Sequence, residues 1–207
     1  AAQRTGFSDG GRLSCTEACA VKTLWLVRHA RPLIDTDRCY GRLDIAADAQ
    51  ATQQAAQALH KVLLPLRGDL QLWHSPLQRC EQLALDLKAL QPDFTATPDT
   101  RLLEMNFGHW EGQRWDDIGE SAISAWAHNL ARHAPGDGES LAQMLQRVSQ
   151  ALEDARRNPN AHVVWICHAG VARCVQWLVQ HGQQLPQSHE WTLPAPAYGQ
   201  WVQIPLS

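Results

Sequence analysis

Short apolar runs alternate along this chain with longer stretches whose apolar residues recur at helical spacing. Thr23 to Val27 (TLWLV) has no polar break, the pattern of a strand covered on both faces in a parallel sheet, and it ends at Arg28 and His29. From Asp48 to Leu64 an Ala- and Gln-rich stretch predicts a crossover helix, closed by Pro65 and Gly68. A second strand is expected over Leu70 to Trp73. After it Ser75 suits an N-cap and Pro76 the first helical position, so a helix is expected from Pro76 to about Leu90 with Arg79 in its first turn.

Phe94 to Thr97 reads as a further strand. The stretch from Arg101 to Ile118 has no clear period and reads as a site loop rather than a core element. Helices are expected over Ser121 to Arg132 and Leu141 to about Arg157. Ala161 to Cys167 (AHVVWIC) repeats the opening pattern, an apolar strand that ends at His168 and leads into a helix reaching about Gln180. A strand near Gln200 to Ile204 would complete the sheet. The alternation predicts an α/β fold: a three-layer α/β/α sandwich with a mainly parallel sheet and a small helical cap over about residues 98 to 140.

Composition narrows the partners. With 207 residues and 44% hydrophobic positions, one domain with a sizeable core is expected over residues 23–207, preceded by a loosely ordered leader, residues 1–22. A net charge of −3 lacks the basic surplus that holds a nucleic-acid backbone or an anionic membrane, and no apolar run approaches the roughly 20 residues needed to cross a bilayer. The expected partner is a small molecule, with no nucleic acid and no membrane; a homodimer is compatible with the composition. The leader has no apolar signal region, and reduced thiols with a cytoplasmic location fit best. Cys15 and Cys19 lack a second pair at zinc spacing, so no metal is expected.

In a parallel α/β sheet, ligands bind beyond the carboxyl ends of the strands. There the pattern gathers Arg28 and His29, then Arg79 in a helix N-terminal turn, then His168. Free N–H groups and the helix dipole already favour an anion at such a turn. Two histidines could instead hold zinc, but the adjacent arginines would repel a cation, so an oxyanion is the better guest. Each residue alone has a bland reading: a satisfied buried histidine, a surface ion pair for an arginine, a solvated acid for Glu104 or Glu111, and packing for the tryptophans at 110, 115 and 126.

Five segments tip the balance. LVRHARP (26 to 32), SPLQRCEQLA (75 to 84), LLEMNFGHWEG (102 to 112), GES (138 to 140) and VVWICHAGVAR (163 to 173) resemble, in order, the motifs of the histidine phosphatase (phosphoglycerate-mutase-like) superfamily. The resemblance implies a phosphoric monoester hydrolase that needs no cofactor. By motif position it makes His29 the nucleophile that forms a phosphohistidine. Arg28 and Arg79 become phosphate ligands, Glu104 the proton donor, and His168 the second phosphate-contacting histidine, which when protonated adds charge where the transition state concentrates it. Ala30 replaces the usual Gly, and Asp35 falls where a phosphate-binding Asn is frequent, so that role is not carried over. RHARP followed by CYGRLD (39 to 44) is similar to α-ribazole phosphatase-type sequences of the cobalamin pathway, and places Tyr40 and Gly41 where they could line the leaving-group side. A phosphoglycerate-type mutase and a catalytically silent phosphate-binding module stay open as alternatives.

Overall fold

The computed structural model describes residues 22–206; residues 1–21, with Cys15, Cys19 and the expected leader up to that point, lie outside the described residues. Five strands are formed by Lys22–Arg28 (β1), Leu70–His74 (β2), Ala96–Pro98 (β3), His162–Cys167 (β4) and Trp201–Leu206 (β5). They lie in the order β3-β2-β4-β1-β5, parallel except for β5, which runs antiparallel to β1 at the edge. The helices are Ala49–Leu63 (α1), Gln78–Leu90 (α2), Trp115–Ile118 (α3), Glu120–His128 (α4), Leu141–Arg157 (α5) and Ala169–His181 (α6).

Alternation along the strands divides the core in two. Trp25, Val27, Val164 and Ile166 face Ala56, Leu59, Leu63, Leu83 and Leu87 of α1 and α2. Leu24, Leu26, Val163, Trp165 and Cys167 face Leu145, Val148, Leu152, Val171 and Val175 of α5 and α6. Both faces of the central strands are therefore covered, which is why their sequences are apolar throughout. Each fully buried Leu, Val or Ile stabilises the fold by roughly 1.5–3 kcal/mol before entropy is counted. The expected three-layer α/β/α sandwich is what forms.

Three local expectations need correction. Helix α2 starts at Gln78, not Pro76: Leu77 is extended at its N-cap, and the Ser75 hydroxyl lies 2.7 Å from His168 Nε2 instead of capping the helix. The helix expected over Ser121 to Arg132 is α4, which begins at Glu120 and ends earlier, at His128; Gly119, at φ 87°, a conformation open to glycine, separates it from the short α3. The stretch from Arg101 to Ile118 also carries core. Leu102, Met105 and Trp110 in it are buried. Helix α5 matches its expected limits, opened by a reciprocal cap in which Ser140 and Gln143 satisfy each other's backbone N–H.

Candidate active site

The carboxyl ends of β1 and β4 carry His29 and His168 to within 5.1 Å, ring centre to ring centre. His29 is buried, and its Nδ1 lies 2.6 Å from the carbonyl oxygen of Ala30. A carbonyl only accepts, so Nδ1 carries the proton and Nε2 keeps its lone pair. Burial above all, then the Arg79 charge and more weakly Arg28, lowers the His29 pKa from its ordinary 6.5 to about 3; the bond to Ala30 opposes them. His29 is thus a neutral imidazole with a fixed tautomer.

Among the described residues the two arginines have no carboxylate partner. Arg79 is fully buried; Nη1 donates to Leu43 O (2.8 Å), Nη2 to Gly41 O (2.5 Å), and Nε has no partner. Arg28 donates from Nη1 to Pro196 O (3.1 Å), its Nε is also buried and unpartnered, and its guanidinium lies 3.8 Å over the ring of Tyr198. Among the described residues neither makes an ion pair. A buried cation such as Arg79, and a partly buried one such as Arg28, left without a carboxylate partner among the described residues are costly to keep, and an oxyanion is the ligand that offsets that cost. The same charges act on His168. Burial first, then Arg79 and the neighbouring His29, hold its pKa well below the ordinary histidine value.

Glu104 reaches the cleft from the other side. Its Oε1 accepts from its neighbour Met105 N (3.0 Å) and its Oε2 from Gly170 N (3.1 Å) at the start of α6. Only a glycine permits this approach, since a Cβ on Gly170 would lie 2.1 Å from Glu104 Oε1. Glu104, Arg28, His29 and Tyr40 line one cleft of about 240 Å³ together with Gly170 and Arg173. His168, beside His29, and Arg79 are both fully buried. Asp35 stays outside; its side chain is 78% exposed beside Arg38.

Glu111 has a different task. Its two oxygens accept from the backbone N–H groups of Gly41, Arg42, Leu43 and Phe107 at 2.8–2.9 Å, tying the loop after β1 to the acid-bearing loop. Gly41 is part of that seam: its N–H goes to Glu111, its carbonyl to Arg79, and a Cβ there would meet Met105 O at 1.8 Å. Tyr40 lines the cleft and its hydroxyl lies 2.8 Å from that of Tyr198. Sequence reasoning missed Tyr198, Ser75 and Arg147. The last donates to the carbonyls of Arg101, Leu103 and Glu104 and pairs with Glu139 at 2.6 Å, clamping the stretch that ends in Glu104. A lone Tyr in PAPAYG and a lone Arg in a helix carry no pattern that would have singled them out.

A model of the histidine phosphatase superfamily (branch 1) matches residues 24–204. The chain belongs to this family. Its relatives are phosphatases by name: adenosylcobalamin/alpha-ribazole phosphatase of Escherichia coli is 31% identical over 156 residues, 72% of this chain and 74% of that protein. Phosphoserine phosphatase 1 of Hydrogenobacter thermophilus is 29% identical over 153 residues, 70% of each chain. Among solved structures, the alpha-ribazole phosphatase of Shigella flexneri superposes with a TM-score of 0.74 at 25% identity, over 89% of this chain and 91% of that one. The histidine phosphatase is a phosphoric monoester hydrolase. No helix among the described residues is long and apolar enough to cross a membrane, and no group of three or more His, Cys, Asp and Glu gathers there.

Proposed function

We propose that this histidine phosphatase hydrolyses small phosphate monoesters without a metal, through a phosphohistidine on His29. The observation that carries the reading is the His29 imidazole, held neutral with its Nε2 lone pair free, beside two guanidinium groups that no carboxylate among the described residues neutralises. In the first step the Nε2 lone pair attacks phosphorus, the bond from phosphorus to the ester oxygen breaks, and protonated Glu104 delivers its proton to the departing alcohol oxygen. In the second, ionised Glu104 takes a proton from water, the oxygen attacks phosphorus, and the N–P bond breaks to release inorganic phosphate. Arg28 and Arg79 stabilise the phosphoryl oxygens throughout. The dianion also offsets the charges that keep His168 neutral, favouring its protonation in the complex, where it adds a donor behind the phosphoryl group.

Within this class α-ribazole 5′-phosphate is the leading substrate. The support is the RHARP and CYGRLD pattern together with the 31% identical Escherichia coli relative. The test is hydrolysis of p-nitrophenyl phosphate with excess chelator, with an alkaline quench that preserves an acid-labile, base-stable label on a histidine, followed by a comparison of kcat/KM for α-ribazole phosphate, phosphoserine, 3-phosphoglycerate and nucleoside monophosphates. The expected result is chelator-insensitive turnover, inhibition by vanadate, a labelled His29 and α-ribazole phosphate ranked first. Inhibition by chelator that a divalent ion reverses overturns the metal-independent mechanism. Equal ranking overturns the substrate alone.

A further inference from the structure

Beyond Glu104 the cleft changes character. Its far wall is apolar, formed by Phe107, Trp126, Leu141, Met144 and Trp191, and it contains one cation, Arg173. Gly170 and Arg173 are three residues apart on α6 and therefore share a face. Since Gly170 N–H holds the Glu104 carboxylate, Arg173 stands one helical turn past the group that serves the leaving oxygen, on the alcohol side of the scissile bond. Its Nε donates to Leu193 O (3.0 Å), and it has no other hydrogen bond and no ion pair among the described residues. Trp126 adds a second donor in the same wall, for its indole nitrogen is buried and without a partner.

An apolar chamber bearing an unneutralised guanidinium selects against a cationic guest and for a flat or apolar one that presents an oxyanion. A fully solvated arginine would need no such setting. Here the 191 to 196 segment is bonded down onto the site, Leu193 O on Arg173 and Pro196 O on Arg28, so that one strap holds the cations of both ends.

We propose that Arg173 is the specificity-determining residue of a leaving-group subsite, which takes a flat aromatic alcohol moiety, neutral as in α-ribazole or, more tightly, carrying a carboxylate or similar oxyanion. This rests on the phosphomonoesterase reading for the direction of the leaving group, not for the binding itself. The experiment is therefore made on affinity. Dissociation constants of phenylphosphonate and 3-carboxyphenylphosphonate, neither of which can be hydrolysed at oxygen, are measured by calorimetry for the wild-type protein and for Arg173→Leu, Arg173→Gln and Arg173→Lys. The carboxylate is expected to improve affinity roughly tenfold in the wild type, the size of one charge-assisted bond. That ratio should fall to about one in Arg173→Leu and Arg173→Gln and recover in part in Arg173→Lys, which keeps charge but loses the fork. Phenylphosphonate binding reports on the integrity of each variant's phosphate end. A ratio unchanged by the neutral variants, or a wild type that does not favour the carboxylate, overturns the subsite. Absence of phenyl phosphate turnover with the ratio intact overturns the phosphatase mechanism and leaves the subsite standing.

Discussion

The phosphate end of the cleft and the acid end are built by different means. At the phosphate end, Arg28 and His29 close β1, His168 follows β4, and their spacing is set by the parallel register in which Arg28 lies opposite Cys167. At the acid end, Glu104 stands in irregular chain between β3 and α3, and its place is set by remote groups: Arg147 on its backbone, Glu111 on the neighbouring loops, Gly170 on its carboxylate. A sheet register cannot shift by a fraction of a residue, so the first end is rigid by construction. The second is only as rigid as its hydrogen bonds. Reaction chemistry is thus divided between a fixed nucleophile and a proton carrier whose position depends on polar contacts.

The sharpest test of the division is His29→Ala. Loss of the nucleophile should cost about three powers of ten or more in kcat for every substrate while the melting temperature stays near wild type, since the residue ends a strand. Residual turnover above about one hundredth breaks the assignment of the phosphate end. Glu104→Gln should cost less and unevenly: about a hundredfold for alkyl phosphates and far less for p-nitrophenyl phosphate, whose leaving group needs little protonation. An equal loss on both would mean that Glu104 is not the proton donor.

Glu111→Gln probes the seam that holds the acid end. A glutamine places an NH2 group against two of the four N–H donors now served by the carboxylate, which should cost about 1–3 kcal/mol of stability and lower kcat on alkyl phosphates more than on aryl ones. An unfolding midpoint within error of the wild type would show the seam to be dispensable. The smallest effect per step is in pH. His29 titrates near 6.5 when unfolded and about 3 when folded, so between those values the unfolded chain binds the extra proton and stability falls as pH falls. The slope from this group is about 1.4 kcal/mol per pH unit below pH 6.5, with His168 acting in the same direction. Urea midpoints from pH 7 to pH 4 should drop more steeply for the wild type than for His29→Ala. Parallel curves would mean that His29 titrates in the folded protein much as it does unfolded.

How much was legible in advance follows the same division. The runs TLWLV and HVVWIC, the helices α1 and α5, and the strand-end placement of His29 and His168 could be read directly, because burial on both faces and helical spacing write themselves into local pattern. The motif resemblance singled out Glu104 as the proton donor, while Arg79 was already placed by its helix N-terminal turn. Between the two candidate acids, Glu104 and Glu111, spacing alone did not decide. The fold separates them by what they touch, one beside Gly170 in the cleft and the other spent on four backbone N–H groups.

Order along the chain therefore determined the α/β architecture, the parallel core and the identity of the strand-end residues, since these depend on contacts between each element and an apolar layer of any detailed shape. Tertiary structure alone decided the protonation of His29 and His168, the isolation of Arg79 from any carboxylate among the described residues, the bracing of Arg28 by Tyr198, and the stationing of Arg173 a turn beyond the Gly170 that holds Glu104. These depend on burial and on charges from segments tens of residues or more apart, and such distances have no period in sequence for a pattern to record.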